Sequence, residues 1–258
     1  MSFETFRQRF LDALRTQELP DYIKKPREEI VADVAAHLTP VIEAQMLDEG
    51  PTGRSKIGGV PDVPAGFAWP TEQDNDAAPL TFVAQIDLAE VHPHDLDHQL
   101  PETGMLWVFS IADGDRAYSY EIDDSTTALV YHPAPGELVP AEVPALEGEE
   151  IEPRGLAFGP SFSIGKRFDG GVEDAIRHAI EQVGGRNGPV RMLGSARFFR
   201  EENKGAFDAG SDVVLVALDG YAIASQAFGE GSFTWFLARS ALAAGKLDGA
   251  GVVFEPGT

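Results

Sequence analysis

A glycine- and proline-rich segment, followed by an alternating one, constrains this chain more than any other part of its sequence. Residues 55–70 read SKIGGVPDVPAGFAWP, and residues 80–88 read LTFVAQIDL. Glycine and proline at this density exclude a helix and fix one particular loop path. The two-residue period of residues 80–88 predicts a β-strand. We therefore expect an irregular loop that is held in one conformation and leads into a sheet.

This part of the chain resembles the YwqG-like family, a bacterial domain family of unknown function. The resemblance rests on SKIGGVPDVPAGFAWP with FVAQIDL, on LPETGMLWVFS, and more weakly on RMLGSARFF with DVVLVALD and GEGSFTWFL. It runs from residue 55 to the C-terminus. We therefore expect N-terminal helices and a lead-in over 1–54, packed as one unit with a YwqG-like domain over 55–258. The resemblance implies an α+β fold rich in antiparallel sheet and supplies no catalytic residue.

Periodicity predicts the other elements. Phenylalanines spaced three and four apart predict an amphipathic first helix, and a second helix is expected after Pro26, with Leu38 on its apolar face. We expect these helices to pack on an edge of the sheet. A third helix is predicted over residues 172–183. Further strands are expected over residues 104–111, 128–131, 213–218, 232–237 and 251–254.

The second half of the chain repeats the order of features in the first. QIDL is followed by a loop and GMLWVF, and ALDG is followed by a loop and GSFTWF, so that Asp87 corresponds to Asp219 and Gly104 to Gly231. Such an echo suggests an internal duplication. The predicted fold class is therefore α+β, a mostly antiparallel sheet in two similar halves with the N-terminal helices packed against it.

Composition limits the classes of function. The 258 residues carry a net charge of −22, which repels phosphate backbones and anionic lipid, so we expect neither a nucleic acid nor a membrane partner. The chain has no cysteine, which excludes disulfides and a thiolate zinc site. Its N-terminal sequence lacks the apolar core of a signal peptide, so a cytoplasmic location is expected. No cofactor is predicted.

An acidic belt over residues 111–153 is the first candidate site. It contains eleven acidic residues and one basic residue, Arg116. Asp123, Asp124, Glu149 and Glu150 are the predicted partner surface. Because no catalytic arrangement is recognisable, the leading interpretation is a non-catalytic binding protein that engages a basic protein through this belt. A solvated acidic surface without a partner is the alternative for the belt itself.

The loop and the strand after it form the second candidate site. It comprises Gly58, Gly59, Asp62, Trp69, Gln85, Asp87 and the counterpart Asp219. In one interpretation Gln85 and Asp87 line a cleft and make the protein an enzyme or a small-ligand binder. In the other, which we prefer, they anchor the backbone of the loop. Trp69, held extended by Pro70, is expected to cap the core.

Other motifs are weaker. His92, His94 and His98 in HPHDLDH have a spacing that suits a metal, but Pro93 interrupts the segment and a solvated loop is the better account. Asp113 with Asp115 and Asp123 with Asp124 lack the ligand ladder of a calcium loop, and a hairpin tip bearing solvated acidic residues is expected there. GGVEDAI resembles a phosphate-binding helix start without the residues that complete one.

Overall fold

The computed structural model describes most of the chain. The described residues are 2–48, 54–73, 78–118, 122–146, 149–166, 168–196, 198, 203, 205–229 and 231–255. Their helices are α1 (Phe3–Thr16), α2 (Arg27–Ala35), α3 (Leu88–Val91), α4 (Gly114–Tyr118), α5 (Gly170–Gln182), α6 (Gly220–Phe228) and α7 (Arg239–Ala243), with a 3-10 turn at His92–His94. Their strands are β1 (Leu38–Met46), β2 (Lys56–Ile57), β3 (Asp62–Val63), β4 (Thr81–Asp87), β5 (Met105–Ser110), β6 (Thr127–His132), β7 (Val139–Pro140), β8 (Arg154–Ile164), β9 (Val190–Met192), β10 (Asp212–Asp219), β11 (Ser232–Ala238) and β12 (Gly251–Glu255).

One large antiparallel sheet dominates the fold. Ten strands follow the order β12-β11-β10-β9-β1-β8-β2-β4-β5-β6, and β3 pairs with β7 in a separate ribbon. The longest pairing, between β1 and β8, lies at the centre and runs from Leu38 opposite Ile164 to Met46 opposite Leu156. The fold is therefore α+β with a mostly antiparallel sheet, as the sequence predicts.

The outer three strands have the same arrangement at both edges of the sheet. β4 is third from one edge and β10 is third from the other, and each is followed by a helix and then by the next strand outward. The pairing of β4 with β5 contains a bulge between Phe82 and Ala84, and the pairing of β10 with β11 contains a bulge between Val214 and Val216. In both strands the bulge lies three to five residues before the aspartate that ends the strand. The two central strands pair across the halves of the chain. β1, from the first half, pairs with β9 of the second half, and β8, from the second half, pairs with β2 of the first half.

The two halves share one hydrophobic core. Trp107 of β5 and Trp235 of β11 are both fully buried in the same cluster, so the sheet curves around a common interior. Helices α4 and α6, one from each half, also meet: a side chain at Gly114 would lie 2.6 Å from the carbonyl oxygen of Gln226. A curved sheet of this kind buries apolar surface on its concave side without a second sheet.

The N-terminal helices lie on the middle of the sheet and not on its edge. Phe6 and Phe10 of α1 pack on Phe162 of the central strand β8, each with ring centroids 4.9 Å apart, and α5 completes this second cluster. The predicted edge position is therefore wrong. Aromatic side chains on α1 bury most apolar area against the centre of the sheet, where β8 presents a ring of its own.

One further prediction is corrected by the structure. Leu38 does not continue the second helix, because α2 ends at Ala35 and Leu38 is the first residue of β1. Local sequence fits a longer helix there, and packing decides.

The acidic segments lie in the connection of a hairpin, as predicted. β5 and β6 pair antiparallel, and Asp113, Asp115, Asp123 and Asp124 are exposed in the segment between them. This connection also contains the short helix α4, where the carboxylate of Asp113 accepts hydrogen bonds from the amides of Asp115 and Arg116.

Candidate functional site

Two consecutive glycines set the path of the loop after β2. Gly58 and Gly59 have φ of 61° and 68°, a conformation that favours glycine. The amide of Gly58 donates to the carbonyl of Val83 at 2.8 Å, and that of Gly59 donates to the carbonyl of Ile151 at 2.8 Å. A side chain at Gly58 would lie 2.3 Å from the carbonyl oxygen of Ile151. The loop is therefore fixed between β4 and the end of the acidic belt.

Gln85 is the anchor of this loop. Its side chain is fully buried. Its carbonyl oxygen accepts from the amide of Asp62 at 2.8 Å, and its NH₂ group donates to the carbonyl of Arg54 at 2.6 Å and to the carboxylate of Asp62 at 3.2 Å. The ammonium of Lys56 also contacts that carboxylate, at 2.6 Å. The polar atoms of Gln85 are thus engaged by the protein itself.

Asp87 and Asp219 occupy corresponding helix-start positions. The carboxylate of Asp87 accepts from the amide of Ala89 at 3.0 Å and caps α3, and that of Asp219 accepts from the amide of Ala222 at 3.2 Å at the start of α6. Asp87 also lies 3.7 Å from the guanidinium of exposed Arg54. Both aspartates act as helix caps in this geometry.

Trp69 lies half-buried against the core. Its ring meets that of Phe109 edge to face at 5.2 Å, and its indole N–H donates to the carbonyl of Leu80 at 2.8 Å. The outer part of the ring lines a cleft of about 300 Å³. Trp69 therefore both covers the core and forms a wall of an opening to the surface.

The cleft beside Trp69 is apolar inside and acidic along one wall. The described residues that line it are Gly59, Val60, Trp69, Thr81, Phe82, Val143, Leu146, Glu150, Ile151, Glu152 and Pro153. Val60 and Val143 are apolar yet 44% and 39% exposed, which is unusual for valine. An apolar cleft with exposed apolar side chains at its mouth and carboxylates on its rim suits a ligand that is apolar and cationic.

Three hollows meet at the same carboxylates. Glu150 borders the apolar cleft and, together with Glu149, also borders two polar hollows of about 670 and 280 Å³. The first of these is formed with Asp113, Asp115 and α6, and the second with the exposed Tyr221. Arg154 contributes a positive charge to the second hollow. Residues of the acidic belt therefore border three neighbouring hollows.

The basic residue within the belt forms an ion pair with an acidic residue outside the belt. Arg116 donates to both carboxylate oxygens of buried Glu72, at 3.0 and 2.9 Å. Among the described residues, Glu149, Glu150 and Glu152 form no ion pair. Two other belt members, Glu121 and Glu147, lie outside the described residues. The negative charge at the cleft is therefore not neutralised by the base that the belt contains.

Asp123 and Asp124 have a partly structural role. Burial acts to raise the pKa of Asp123, but hydrogen bonds from Ser125 and Thr126 outweigh it, and the pKa lies below its ordinary value. Asp124 accepts from the amide of Val252 in β12 at 3.2 Å. Both side chains remain exposed. They hold the turn before β6 as well as contributing charge.

The histidine segment does not gather a recognisable metal site. The rings of His92 and His98 lie 5.5 Å apart, and burial lowers the pKa of His94. No cluster of three potential ligands occurs in the part of the chain that the structure describes. The predicted phosphate-like helix start is occupied by the protein, because Asp169 accepts from the amide of Gly171 at 3.1 Å and caps α5.

Sequence reasoning missed a polar cluster at the centre of the sheet. Glu43 of β1 lies directly opposite Arg191 of β9. Burial raises the pKa of Glu43 to about 7, although Arg191, the amide of Gly188 and the hydroxyl of Ser161 act to lower it. The available signal was a single glutamate inside the apolar run VIEAQM, which is costly unless the side chain has a partner or a task.

Comparison with known proteins identifies the family without identifying a reaction. No curated protein matches the chain. Within the described residues, no helix combines the length and apolar character needed to cross a membrane. A family model described as "Domain of unknown function (DUF1963)" matches residues 55–254, which include the glycine loop, Gln85 and the cleft beside Trp69. The chain therefore belongs to the DUF1963 family.

Proposed function

We propose that this protein is a non-catalytic binding protein for a basic protein partner. In this proposal an apolar side chain of the partner enters the cleft beside Trp69, and basic groups next to it meet Glu149, Glu150 and Glu152. The observation that carries the proposal is the pairing of an apolar cleft with carboxylates that form no ion pair within the described residues. Clefts with exposed apolar rims commonly serve recognition.

Charge supports a basic partner over a neutral one. The net charge of −22 attracts cationic surfaces from a distance and speeds encounter. Once docked, an apolar anchor in a desolvated cleft supplies most of the affinity, whereas exposed charge pairs around it contribute modestly. The proposal therefore assigns the association rate to the belt and the lifetime of the complex to the cleft.

Location and subgroup are part of the same proposal. We place the protein in the cytoplasm, as its cysteine-free composition and acidic surface favour, and in the bacterial YwqG-like subgroup, whose sequence blocks it resembles. An enzyme or small-ligand binder is the alternative. Gln85 and Asp87 are engaged by the loop and by α3, so a small ligand would have to use the cleft at Trp69 instead.

Defined peptides provide the test. Fluorescent peptides with lysines flanking one leucine or one tryptophan should bind the wild-type protein, and peptides with glutamate in place of lysine should not. The double variant Glu149→Lys and Glu150→Lys should slow association several-fold and flatten its salt dependence. Asp123 and Asp124 are left unchanged because they hold the turn before β6.

A control with the same change in net charge separates local from global effects. Glu18→Lys with Glu29→Lys places two reversals on exposed residues at the N-terminal helices. The proposal requires this control to keep most of the peptide affinity. Equal loss in both double variants would leave only a net-charge effect, and binding of uncharged apolar molecules alone would favour the small-ligand alternative.

We also propose that the two halves arose by duplication. The residues after β2 and β9 support it, because Gly58 and Gly59 have φ of 61° and 68°, and Leu193 and Gly194 have φ of 68° and 84°. The glycines before β5 and β11 support it as well. A side chain at Gly104 would lie 2.8 Å from the ring of Tyr131, and one at Gly231 would lie 2.0 Å from the ring of Phe254. Each glycine makes room for an aromatic ring of the outermost strand.

A further inference from the structure

A second polar site lies where the two halves of the sheet meet. On one face of three neighbouring strands, Glu43 of β1 lies opposite Arg191 of β9 and opposite Gly159 of β8. Ser161 of β8 lies two residues from Gly159 and is fully buried. Glu43 and Arg191 keep partial exposure, so the cluster is open to solvent on one side. It is separate from the cleft beside Trp69.

The donors of this cluster exceed its acceptors. Within the described residues, the Nε of Arg191 is buried without a hydrogen-bond partner. The hydroxyl of Ser161 is buried without a hydrogen bond of normal length, although it lies close enough to Glu43 to act on the pKa of that carboxyl. To the described residues, the guanidinium donates one hydrogen bond, from Nη2 to the carbonyl of Ser195 at 3.4 Å. Arg191 and Glu43 form no ion pair with each other, and the carboxylate of Glu43 accepts from the amide of Gly188 at 3.2 Å. Unsatisfied buried donors are uncommon and costly, which points to an occupant.

The other half of the sheet shows the satisfied version of the same position. Lys56 lies opposite Gln85, as Arg191 lies opposite Ala217, and the two pairs correspond in the strand order. The charge of Lys56 is met by Asp62 from the loop that follows it. The loop that follows Arg191 offers only the carbonyl of Ser195 among the described residues. Among the described residues, the second half therefore supplies no carboxylate to Arg191 in the way that the first half supplies Asp62 to Lys56.

We propose that Arg191, Ser161 and Glu43 form a binding site for the carboxylate group of a small molecule. The Nε and one terminal nitrogen of a guanidinium form a fork that matches the two oxygens of a carboxylate. The Ser161 hydroxyl donates to one of these oxygens. Glu43 in its protonated form donates to the other, so that two carboxyl groups share one proton.

This arrangement couples binding to proton uptake. Affinity for a carboxylate should rise as the pH falls towards 7 and through it, by up to about tenfold per pH unit above the pKa of Glu43. Among the described residues, the charged or titratable groups that we place on this side with Glu43 are Arg191, Arg186 and His94. Arg186 lies over Gly159, and its guanidinium bonds to Gln45; burial and Arg186 lower the pKa of His94. Glu43 is thus the group whose protonation changes near neutral pH.

Acetate is the probe, and the amide resonances of Gly188 and Ser195 are the site-specific readout. Titration with sodium acetate against sodium chloride at equal ionic strength should shift both resonances in a saturable way. Inorganic phosphate should shift them less at the same concentration, because a tetrahedral dianion fits the fork and Glu43 less well. A larger or equal response to phosphate would overturn the assignment to a carboxylate.

Ser161→Ala is the decisive variant because it removes a hydroxyl that forms no hydrogen bond of normal length, so the fold should be retained. It should weaken acetate binding several-fold, and Arg191→Lys should weaken it more. Ser110→Ala is the matched control: Ser110 is also fully buried with an unpartnered hydroxyl, but lies on β5. This control should bind acetate like the wild type.

Glu43→Gln should bind acetate with little dependence on pH, since the amide donates at every pH. The proposal is overturned if the wild type gives no saturable shift, or if Ser161→Ala and Ser110→Ala have equal acetate affinity. It is also overturned if crystals grown in acetate contain a water molecule between Ser161 and Arg191. The site is independent of the proposed partner surface, so failure of either one leaves the other standing.

Discussion

Replacing Gln85 by methionine tests whether this residue anchors the loop or serves a ligand. Methionine has a similar length and fills the same space without hydrogen-bonding groups. The change removes the three hydrogen bonds that join Gln85 to Asp62 and Arg54. The backbone amide of Asp62 and the backbone carbonyl of Arg54 then lose the side-chain group to which they were hydrogen-bonded. We therefore expect a loss of stability and a loosened loop over residues 54–63.

The magnitude follows from the kind of each bond. The two bonds to backbone groups are worth about 1 kcal/mol each, and the bond to the carboxylate of Asp62 is worth about 2 kcal/mol because the acceptor is charged. Asp62 is partly exposed, so water replaces some of these contacts, and the buried methionine recovers about 1 kcal/mol. The free energy of unfolding should fall by about 3 kcal/mol.

Urea denaturation followed by tryptophan fluorescence measures this loss, because Trp69 and Trp107 lie next to the loop. Trp107 donates to the carbonyl of Asp62 at 2.9 Å. Ile86→Met is the control: it changes the neighbouring, fully buried residue of β4 to the same side chain and should cost less than about 1.5 kcal/mol. If Gln85→Met is no less stable than Ile86→Met, the anchoring argument is refuted. If a stable Gln85→Met protein also loses binding of peptide or ligand, Gln85 belongs to the cleft.

Three other predictions concern the core, the sheet edge and pH. Trp69→Ala should lower the free energy of unfolding by about 2–4 kcal/mol, since it removes the contact with Phe109; an unchanged urea midpoint would mean that Trp69 serves only binding. Gly231→Ala should cost about 1–3 kcal/mol, because the new methyl group would lie 2.0 Å from the ring of Phe254 and displace β12; unchanged amide exchange in that strand would contradict this. In the folded protein the pKa of Glu43 is about 7, whereas in the unfolded chain it is near 4.5. Burial of the charged carboxylate therefore lowers the free energy of unfolding fully above pH 7. This loss of stability becomes smaller as the pH falls from 7 towards 4.5, because the folded protein then binds the proton. Relative to Glu43→Gln, the wild type should therefore gain stability as the pH is lowered through this window in a series of denaturation curves, and a constant difference between the two proteins would contradict the buried, titrating glutamate.

Local patterns in the sequence were enough to locate many elements of the fold. The two-residue period predicts β4, and the spacing of Phe6 and Phe10 predicts α1 and its buried face. These features depend on contacts between residues close in sequence, so short segments suffice to predict them.

The sequence by itself determined that the chain forms an α+β fold with a mostly antiparallel sheet and a glycine-rich loop before β4. Only the tertiary structure decided that β1 and β8 form the centre of the sheet and exchange partners between the halves. β1 begins where the helical spacing of apolar residues continues to Leu38, and its burial is irregular, so nothing local marks it as a central strand. This pairing brings Glu43 opposite Arg191, which lies far from it along the chain. Tertiary structure also brings residues of the acidic belt to the wall of the cleft at Trp69. Which distant strands pair depends on the apolar area and hydrogen bonds gained across the whole sheet, and a local pattern carries no information about that sum.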